Sequence, residues 1–277
     1  MDTLLVLAGS GVYPELVVRG AKKAGVGRVE VVALRGSTSR ATARAADFVR
    51  WVKLNEISEI IRWAGARGYD GAILAGQVNP LSLFRGGFDP EIKATLKALP
   101  VKNAHSIFRR LVELFSNAGV KVLPASLFMD DHVPGEGALT SRGLTESEAS
   151  DLRHAQTVAH DMGVHDVGQT VMVKGGMVLA VEAFEGTNAA IRRGGKLGGK
   201  GSVVFKAARE GHDMRFDIPV VGMKTVKMMK KAGATALGFQ AGRLVLLERD
   251  EVIRYADRHG IALVGIDSGL ERAPLRP

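Results

Sequence analysis

Two polar passages in the second half of the sequence, residues 181–188 and 213–217, combine carboxylates with cationic neighbours. Oxygens of Asp and Glu are ligands that Mg²⁺ prefers, and Arg and Lys neutralise phosphate oxygens. The pattern therefore indicates a site for a phosphate group and a divalent cation. Its candidate residues are Glu182, Glu185, Thr187, Asn188, Arg192, Lys206, Asp213, Arg215 and Asp217.

The spacing within residues 213–217 leaves two interpretations open. If this segment is extended, Asp213, Arg215 and Asp217 share one face, because side chains of a strand alternate with a period of two. A cation between two carboxylates suits a phosphate site. It suits a solvated row of surface ion pairs equally well.

A glycine-rich turn near the N-terminus is a second candidate site. Gly9, Ser10 and Gly11 follow an apolar run and precede a predicted helix. Glycines at such a turn let backbone N–H groups and the helix dipole approach a phosphate. The dinucleotide-binding pattern is incomplete, because Pro14 replaces its third glycine and the next strand ends without the acidic residue that holds an NAD ribose.

The surroundings of this turn keep three interpretations open. Arg35 suits the extra phosphate of NADP, which would indicate an oxidoreductase. A tight turn between a strand and a helix, with no ligand, is the alternative. Gly76 and Gln77 close another predicted strand at its carboxyl end, where open α/β sheets bind ligands. Gln77 is therefore either a ligand contact or a loop cap.

The order of predicted elements places these candidates in an α/β fold. Strands and helices alternate through residues 1–128, with a last strand at 120–123, and predict a Rossmann-like parallel sheet. Residues 129–145 are rich in turn formers and are predicted to be a linker. Residues 146–277 are predicted to form a C-terminal α/β catalytic domain.

Composition narrows the class of protein. The 277 residues contain no cysteine, which excludes disulfides, thiolate zinc sites and iron–sulfur clusters. The balance of 38 Lys and Arg against 29 Asp and Glu gives a net charge of +9, which favours anionic partners. Nucleic acid is not favoured, because the basic residues are spread along the chain without interleaved aromatics. The sequence shows no signal peptide and no membrane-spanning run, and we expect a cytoplasmic protein.

Taken in order, these passages resemble the LpxI-type UDP-2,3-diacylglucosamine pyrophosphatases, formerly classed as a domain of unknown function. The resemblance spans nearly the full length. Its most specific motifs are Glu-Gly-Thr at 185–187 and Asp-x-Arg-Phe-Asp-x-Pro at 213–219. The other matching stretches are 7–14, 75–78, 137–140, 166–169, 179–184, 255–257 and 260–261.

The resemblance implies a reaction and its requirements. Members hydrolyse UDP-2,3-diacylglucosamine to 2,3-diacylglucosamine 1-phosphate (lipid X) and UMP, a step of lipid A synthesis. Water attacks the α-phosphorus with help from Mg²⁺ or another divalent cation such as Mn²⁺. The lipid substrate lies between a Rossmann-like domain and a C-terminal α/β domain. We also expect peripheral contact with the anionic inner membrane, and homo-oligomerisation stays open.

The resemblance also implies roles for individual residues. The essential aspartate falls in residues 213–217, where Asp217 is favoured over Asp213. Both are metal candidates, together with Glu182 and Glu185. The expected substrate-binding residues are Gly9, Ser10, Gly11, Gly76, Gln77, Thr140, Thr187, Asn188, Arg192, Lys206 and Arg215.

Departures from the family pattern support the alternatives. Asn188 stands where the family more often has Asp after Glu-Gly-Thr, which could weaken a metal or phosphate contact. A non-catalytic binder of a nucleotide or lipid with the same fold is therefore the main alternative. An NADP-dependent oxidoreductase is the third.

Overall fold

The computed structural model describes residues 1–78, 88–99, 104–208 and 213–267. The chain divides into two compact units, the first made of Met1–Met129 with Asp213–Asp217 and the second of Asp130–His212 with Ile218–Pro277. This division differs from the predicted one in two ways. The expected linker belongs almost entirely to the second unit, and the 213–217 passage belongs to the first.

A parallel four-stranded sheet with the strand order β3-β2-β1-β4 forms the centre of the first unit. Leu4, Leu5 and Val6 on β1 are fully buried, as expected for a parallel strand covered on both faces. The register pairs Ala8 with Ala33 and with Ala75, so that three strands end at about the same level. The strands are β1 (Thr3–Ala8), β2 (Arg28–Leu34), β3 (Phe48–Val52) and β4 (Gly71–Ala75).

Helices of the first unit begin at recognisable caps. The Ser39 side chain accepts the N–H of Thr42 at the start of α2, and Asp89 accepts the N–H of Ile92 at the start of α4. Such caps satisfy N–H groups that have no partner within the helix. The helices are α1 (Tyr13–Lys23), α2 (Arg40–Ala45), α3 (Ile57–Arg67), α4 (Pro90–Lys97) and α5 (Ala104–Asn117).

Residues 120–123 do not form the predicted strand. They join the sheet through a single parallel bridge between Ala72 and Val122. Two elements of this unit, α2 and β3, were not predicted. The sequence of α2 is rich in Arg and Ala and has no apolar face, and β3 is mostly half-buried. Helix α2 therefore lacks the apolar face that identifies a helix, and the four apolar residues of β3 neither alternate with polar ones nor form an unbroken run.

The second unit contains a mixed six-stranded sheet with the order β5-β12-β10-β8-β6-β7. Its strands β8, β10 and β12 are parallel, and β6 runs antiparallel to β8. The α/β class, with a parallel sheet first and a mixed sheet second, is thus confirmed. The strands are β5 (Gly137–Ala138), β6 (Thr170–Lys174), β7 (Met177–Val181), β8 (Ser202–Lys206), β10 (Ala234–Gln240) and β12 (Ala262–Ile266).

The remaining elements of the second unit are one small sheet and its helices. Strands β9 (Val220–Val221) and β11 (Val245–Leu246) pair in parallel. The helices are α6 (Glu146–Val164), α7 (Thr187–Gly198), α8 (Met223–Ala232) and α9 (Arg249–Arg258).

Among the helices of both units, no helix in the described ranges combines the length and the apolar character needed to cross a membrane.

A buried polar network fixes the start of α6. Glu148 completes a capping box with Thr145, and its Oε2 accepts a hydrogen bond of 2.9 Å from Arg142. The Thr235 hydroxyl donates to Glu148 Oε1 at 2.6 Å. Burial raises the pKa of Glu148, but the hydrogen bonds from Arg142, Thr145 and Thr235 outweigh it and bring that pKa to about 2. The carboxylate is therefore charged in the folded protein at neutral pH.

Candidate active site

Residues 213–217 form a turn, so the condition of an extended segment, on which the shared face of Asp213, Arg215 and Asp217 depended, is not met. The N–H groups of Phe216 and Asp217 both donate to the Asp213 carbonyl, at 3.2 and 3.1 Å. The second bond is that of one helical turn, in which side chains four positions apart are neighbours. Asp213 and Asp217 are thus on one side of the turn because of helical spacing and not because of the two-residue period of a strand.

Arg215 occupies both carboxylate oxygens of Asp213. Its Nε donates to Oδ1 at 2.8 Å and its Nη2 donates to Oδ2 at 2.6 Å. The hydrogen bond from Arg215 lowers the pKa of Asp213 and raises the pKa of Arg215. Asp213 is therefore held in a bidentate ion pair with Arg215.

Asp217 faces a histidine that the sequence analysis did not identify. The Nδ1 atom of His105, on α5, lies 3.4 Å from Asp217 Oδ2, and Arg109 Nη2 lies 2.8 Å from His105 Nε2. A guanidinium can only donate, so Nε2 is the acceptor and a neutral ring carries its hydrogen on Nδ1. His105 therefore presents a donor to Asp217. The two residues are 112 positions apart, so no sequence motif could have predicted that they are neighbours.

Aromatic contacts hold the turn to the first unit. The Phe216 ring lies 5.2 Å from the His105 ring and 6.0 Å from the Phe108 ring, measured between centroids. The Met214 carbonyl also accepts the N–H of Ala125 at 2.7 Å. These contacts place the two aspartates beside α5.

An apolar cavity of about 80 Å³ lies at the carboxyl ends of β1, β2 and β4. This edge of a parallel sheet is where open α/β folds bind their ligands. Its walls are aliphatic and aromatic, so it suits an apolar group and not a phosphate. Phe108, which stacks with Phe216, is part of the wall. The other lining residues include Leu34, Ile57, Leu74, Phe88 and Phe115.

The glycine turn binds the neighbouring loop of its own unit. The Gly9 N–H donates to the Ala75 carbonyl, and Ser10 and Gln77 exchange two backbone hydrogen bonds of 2.8 and 3.0 Å. A Cβ atom on Gly9 would lie 2.5 Å from the Gln77 carbonyl oxygen. The structure thus explains the glycine by the close approach of two backbone segments. The N–H groups of Gly9 and Ser10, which were predicted to contact a phosphate, therefore already donate to backbone carbonyls.

The passage at 181–188 forms a hydrogen-bonded chain in the second unit. Lys206, at the end of β8, is only 6% exposed, and its Nζ donates to the Thr187 hydroxyl at 2.8 Å. That hydroxyl donates to Glu182 at 3.0 Å. Asn188 follows on the first turn of α7, and within the described ranges its buried Oδ1 has no hydrogen-bond partner.

The other candidates of the second unit lie in separate surroundings. Glu185 pairs with Arg193 at 2.7 Å, and this hydrogen bond lowers the pKa of the exposed Glu185 carboxyl. Arg192 is exposed on α7. Thr140 is buried, and its hydroxyl donates to the Arg142 carbonyl and accepts the N–H of Leu263.

The four predicted metal ligands belong to different units, with Asp213 and Asp217 in the first and Glu182 and Glu185 in the second. Within the part of the chain that the structure describes, no three His, Asp or Glu side chains are grouped closely enough to hold a metal ion. Mg²⁺ at phosphate sites is commonly held by one or two carboxylates together with substrate oxygens and water. The turn carrying Asp217 fits that smaller donor set.

Comparisons with known proteins match most of the chain to one family. The model of the LpxI N-terminal domain matches residues 3–132, and that of the LpxI C-terminal domain matches residues 135–264. The UDP-2,3-diacylglucosamine pyrophosphatase LpxI of Caulobacter vibrioides is 29% identical over 283 residues, which cover 96% of this chain and 98% of that protein.

Similarity to solved structures is remote. The gox2253 structure gives a TM-score of 0.29 at 18% identity and covers 53% of this chain and 42% of that one. The biotin carboxylase domain of a thermophilic 2-oxoglutarate carboxylase gives a TM-score of 0.28 at 15% identity, with 62% and 35% covered. TM-scores this low carry no functional information.

Proposed function

Because the chain belongs to the LpxI family, we propose that it hydrolyses the pyrophosphate bond of UDP-2,3-diacylglucosamine. The products are 2,3-diacylglucosamine 1-phosphate and UMP, in a step of lipid A synthesis. The observation that carries this proposal is the end-to-end similarity to a relative named for this activity.

The first unit supports the proposal with two adjacent features of opposite polarity. Asp213 and Asp217 lie on the same turn as Phe216, which stacks on Phe108 in the wall of the apolar cavity. A diacylated nucleotide sugar has a charged diphosphate and long apolar chains. Carboxylates beside an apolar cavity suit such an amphiphile, since each part of the substrate meets groups of matching polarity.

Catalysis of this hydrolysis requires a positioned water and relief of phosphate charge. We assign Asp217 to orienting the water or holding the divalent cation, and His105 to fixing the Asp217 carboxylate through its Nδ1–H. Arg109 fixes the tautomer of His105. Mg²⁺, when bound, supplies positive charge that neutralises phosphate oxygens.

Cationic groups complete the assignment. In the first unit, Arg215 is assigned to offset the charge of the diphosphate, and in the second unit Lys206 and Arg192 are separate candidates for binding an anion. Lys206 is the most specific of these, because its buried ammonium lies beside Thr187 at the start of α7, where the helix dipole also favours anions. Glu182 and Glu185 remain weaker metal candidates, because Thr187 and Arg193 already bind them.

One observation favours a second candidate function, a binder without catalysis. Asn188 replaces the family's more frequent Asp, and its Oδ1 is buried without a partner in the described residues. Such an atom is costly to bury, and a metal or phosphate contact weakened at this position would leave binding without catalysis. The oxidoreductase alternative loses support, because the N–H groups of Gly9 and Ser10 bind the loop after β4.

The decisive experiment incubates the full chain with UDP-2,3-diacylglucosamine in detergent micelles with Mg²⁺ and measures UMP. We expect UMP release that EDTA abolishes and Mg²⁺ or Mn²⁺ restores. Asp217→Asn should lose more activity than Asp213→Asn, which serves as the matched control on the same turn. Substrate binding without UMP release under any divalent cation would favour the binder and overturn the proposal.

A further inference from the structure

Positive charge is concentrated on two helices of the second unit. Helices α7 and α8 contain seven Lys and Arg residues and no Asp or Glu, in a chain whose net charge is +9. These two helices thus carry seven of the 38 Lys and Arg residues of the chain. The seven are Arg192, Arg193, Lys196, Lys224, Lys227, Lys230 and Lys231.

A glycine brings the two helices together. A Cβ atom on Gly195 of α7 would lie 2.5 Å from the Cβ of Ala232 on α8, so only glycine permits this approach. A groove then runs between the helices, lined by Arg192, Lys196 and Lys231. Side chains four positions apart on a helix are neighbours, so each helix presents its cations as a stripe.

Most of these cations have no anionic partner in the described part of the chain. Arg193 pairs with Glu185, and Lys227 lies 6.0 Å from the ring of Tyr255. The other five make no ion pair among the described residues. Lys196 is followed by Leu197, a leucine with 70% of its surface exposed. Uncompensated like charges repel one another, so an anionic surface would stabilise this arrangement.

We propose that the face formed by α7 and α8 docks on the anionic headgroups of a phospholipid bilayer. Clustered lysines and arginines bind anionic lipid, and an adjacent exposed leucine inserts at the interface. Stacking aromatics, which a single-stranded nucleic acid would require, are absent from both helices. The inference rests in part on the proposed function, because a diacylated substrate resides in a membrane.

The test measures sedimentation of the full chain with phosphatidylcholine vesicles containing about one third phosphatidylglycerol. The triple variant Lys196→Gln, Lys224→Gln, Lys231→Gln should lower the partition coefficient about 100-fold, since each surface cation adds roughly 1 kcal/mol. High salt should weaken wild-type binding, because it screens charge. The control Lys93→Gln, Lys97→Gln, Lys121→Gln removes equal charge from exposed sites of the first unit and should bind like wild type.

The outcomes separate this inference from the proposed function. The vesicles contain no substrate, whereas UMP release from detergent micelles needs no vesicle, so either can fail alone. Equal binding to pure phosphatidylcholine, or equal loss in both triple variants, would overturn the docking face. Binding to a DNA duplex that the first triple variant loses, with vesicle binding unchanged, would assign the face to nucleic acid instead. The single variant Lys231→Glu repeats the test should the triple variant fail to fold.

Discussion

The carboxylate of Asp217 and the imidazole of His105 are 112 positions apart in the sequence, and their nearest atoms, Oδ2 and Nδ1, are 3.4 Å apart in the structure. Arg109 holds the opposite nitrogen of the ring. This arrangement gives Asp217 a fixed donor, which would suit the role proposed for it, that of holding a water or a cation in one orientation.

Replacing His105 should therefore impair turnover more than binding. We expect His105→Ala to lower kcat about 10- to 100-fold with little change in KM, because the carboxylate loses its orienting donor. His105→Asn keeps an N–H donor and should recover part of the loss. UMP release under saturating substrate measures the effect. Equal kcat values for His105→Ala and wild type would show that the contact has no catalytic consequence.

Filling the apolar cavity should discriminate between substrates by chain length. Leu74→Phe adds volume to the cavity wall, so we expect KM for a long-chain diacyl substrate to rise about tenfold, the effect of losing roughly 1.4 kcal/mol of apolar contact. A substrate with short acyl chains should be affected little. A KM that rises equally for both substrates would place the acyl chains elsewhere.

Glu148 should make stability depend on pH in a defined window. Its pKa is about 2 in the folded protein and lies near 4.5 without these contacts, so its stabilisation is complete above that range and is lost as pH falls from about 4.5 to 2. Glu148→Gln should lower the free energy of unfolding by about 3 kcal/mol at pH 7, because Arg142 loses its buried partner. Urea denaturation at several pH values measures both effects.

Glu146→Gln is the matched control for this prediction. Glu146 is exposed on the first turn of the same helix and should change the free energy of unfolding by less than about 0.5 kcal/mol. If Glu148→Gln shows the same acid sensitivity as wild type, another carboxyl is responsible for that sensitivity.

Alanine at Gly9 should destabilise the first unit. The added methyl group would lie 2.5 Å from a backbone oxygen of Gln77, which cannot move aside like a side chain, and we expect a loss of about 3 kcal/mol. Gly11→Ala is the comparison, because nothing lies within 4 Å and only its φ of 95° opposes a side chain, at about 1 kcal/mol. Thermal unfolding of both variants measures which of them loses more stability. A larger loss of stability in Gly11→Ala than in Gly9→Ala would contradict the packing argument.

Local patterns predicted the regular part of the fold well. Apolar runs predict strands at 177–181, 202–206 and 262–266, and the helical period of apolar residues predicts a helix at 223–232. The bounds of β7, β8, β12 and α8 in the structure agree with these predictions. Strand β10 was missed, since its Ala and Gly residues lack β propensity. At Gly238 a Cβ atom would lie 2.9 Å from Leu152, so packing and not propensity selects the residue.

The candidate site was only partly predictable, for reasons that lie in tertiary structure. The motif at 213–217 marked the important aspartates, but alternation of polar residues could not distinguish an extended segment from a helical turn. His105 lies on a different element, and its role depends on the contact with Asp217. At Gly9 a phosphate contact and a tight turn without a ligand both stayed open, because the sequence could not show the loop that packs against it.

Asp213–Asp217 belong to the first unit, while the chain on either side of them belongs to the second, so neither unit is one continuous stretch of the sequence. A gene fragment encoding residues 1–129 would contain the residues that line the apolar cavity, together with His105, but would lack Asp213 and Asp217. A chimera that joined residues 1–129 of one relative to the rest of another would combine His105 of the first with residues 213–217 of the second. A working chimera therefore needs both segments from the same parent.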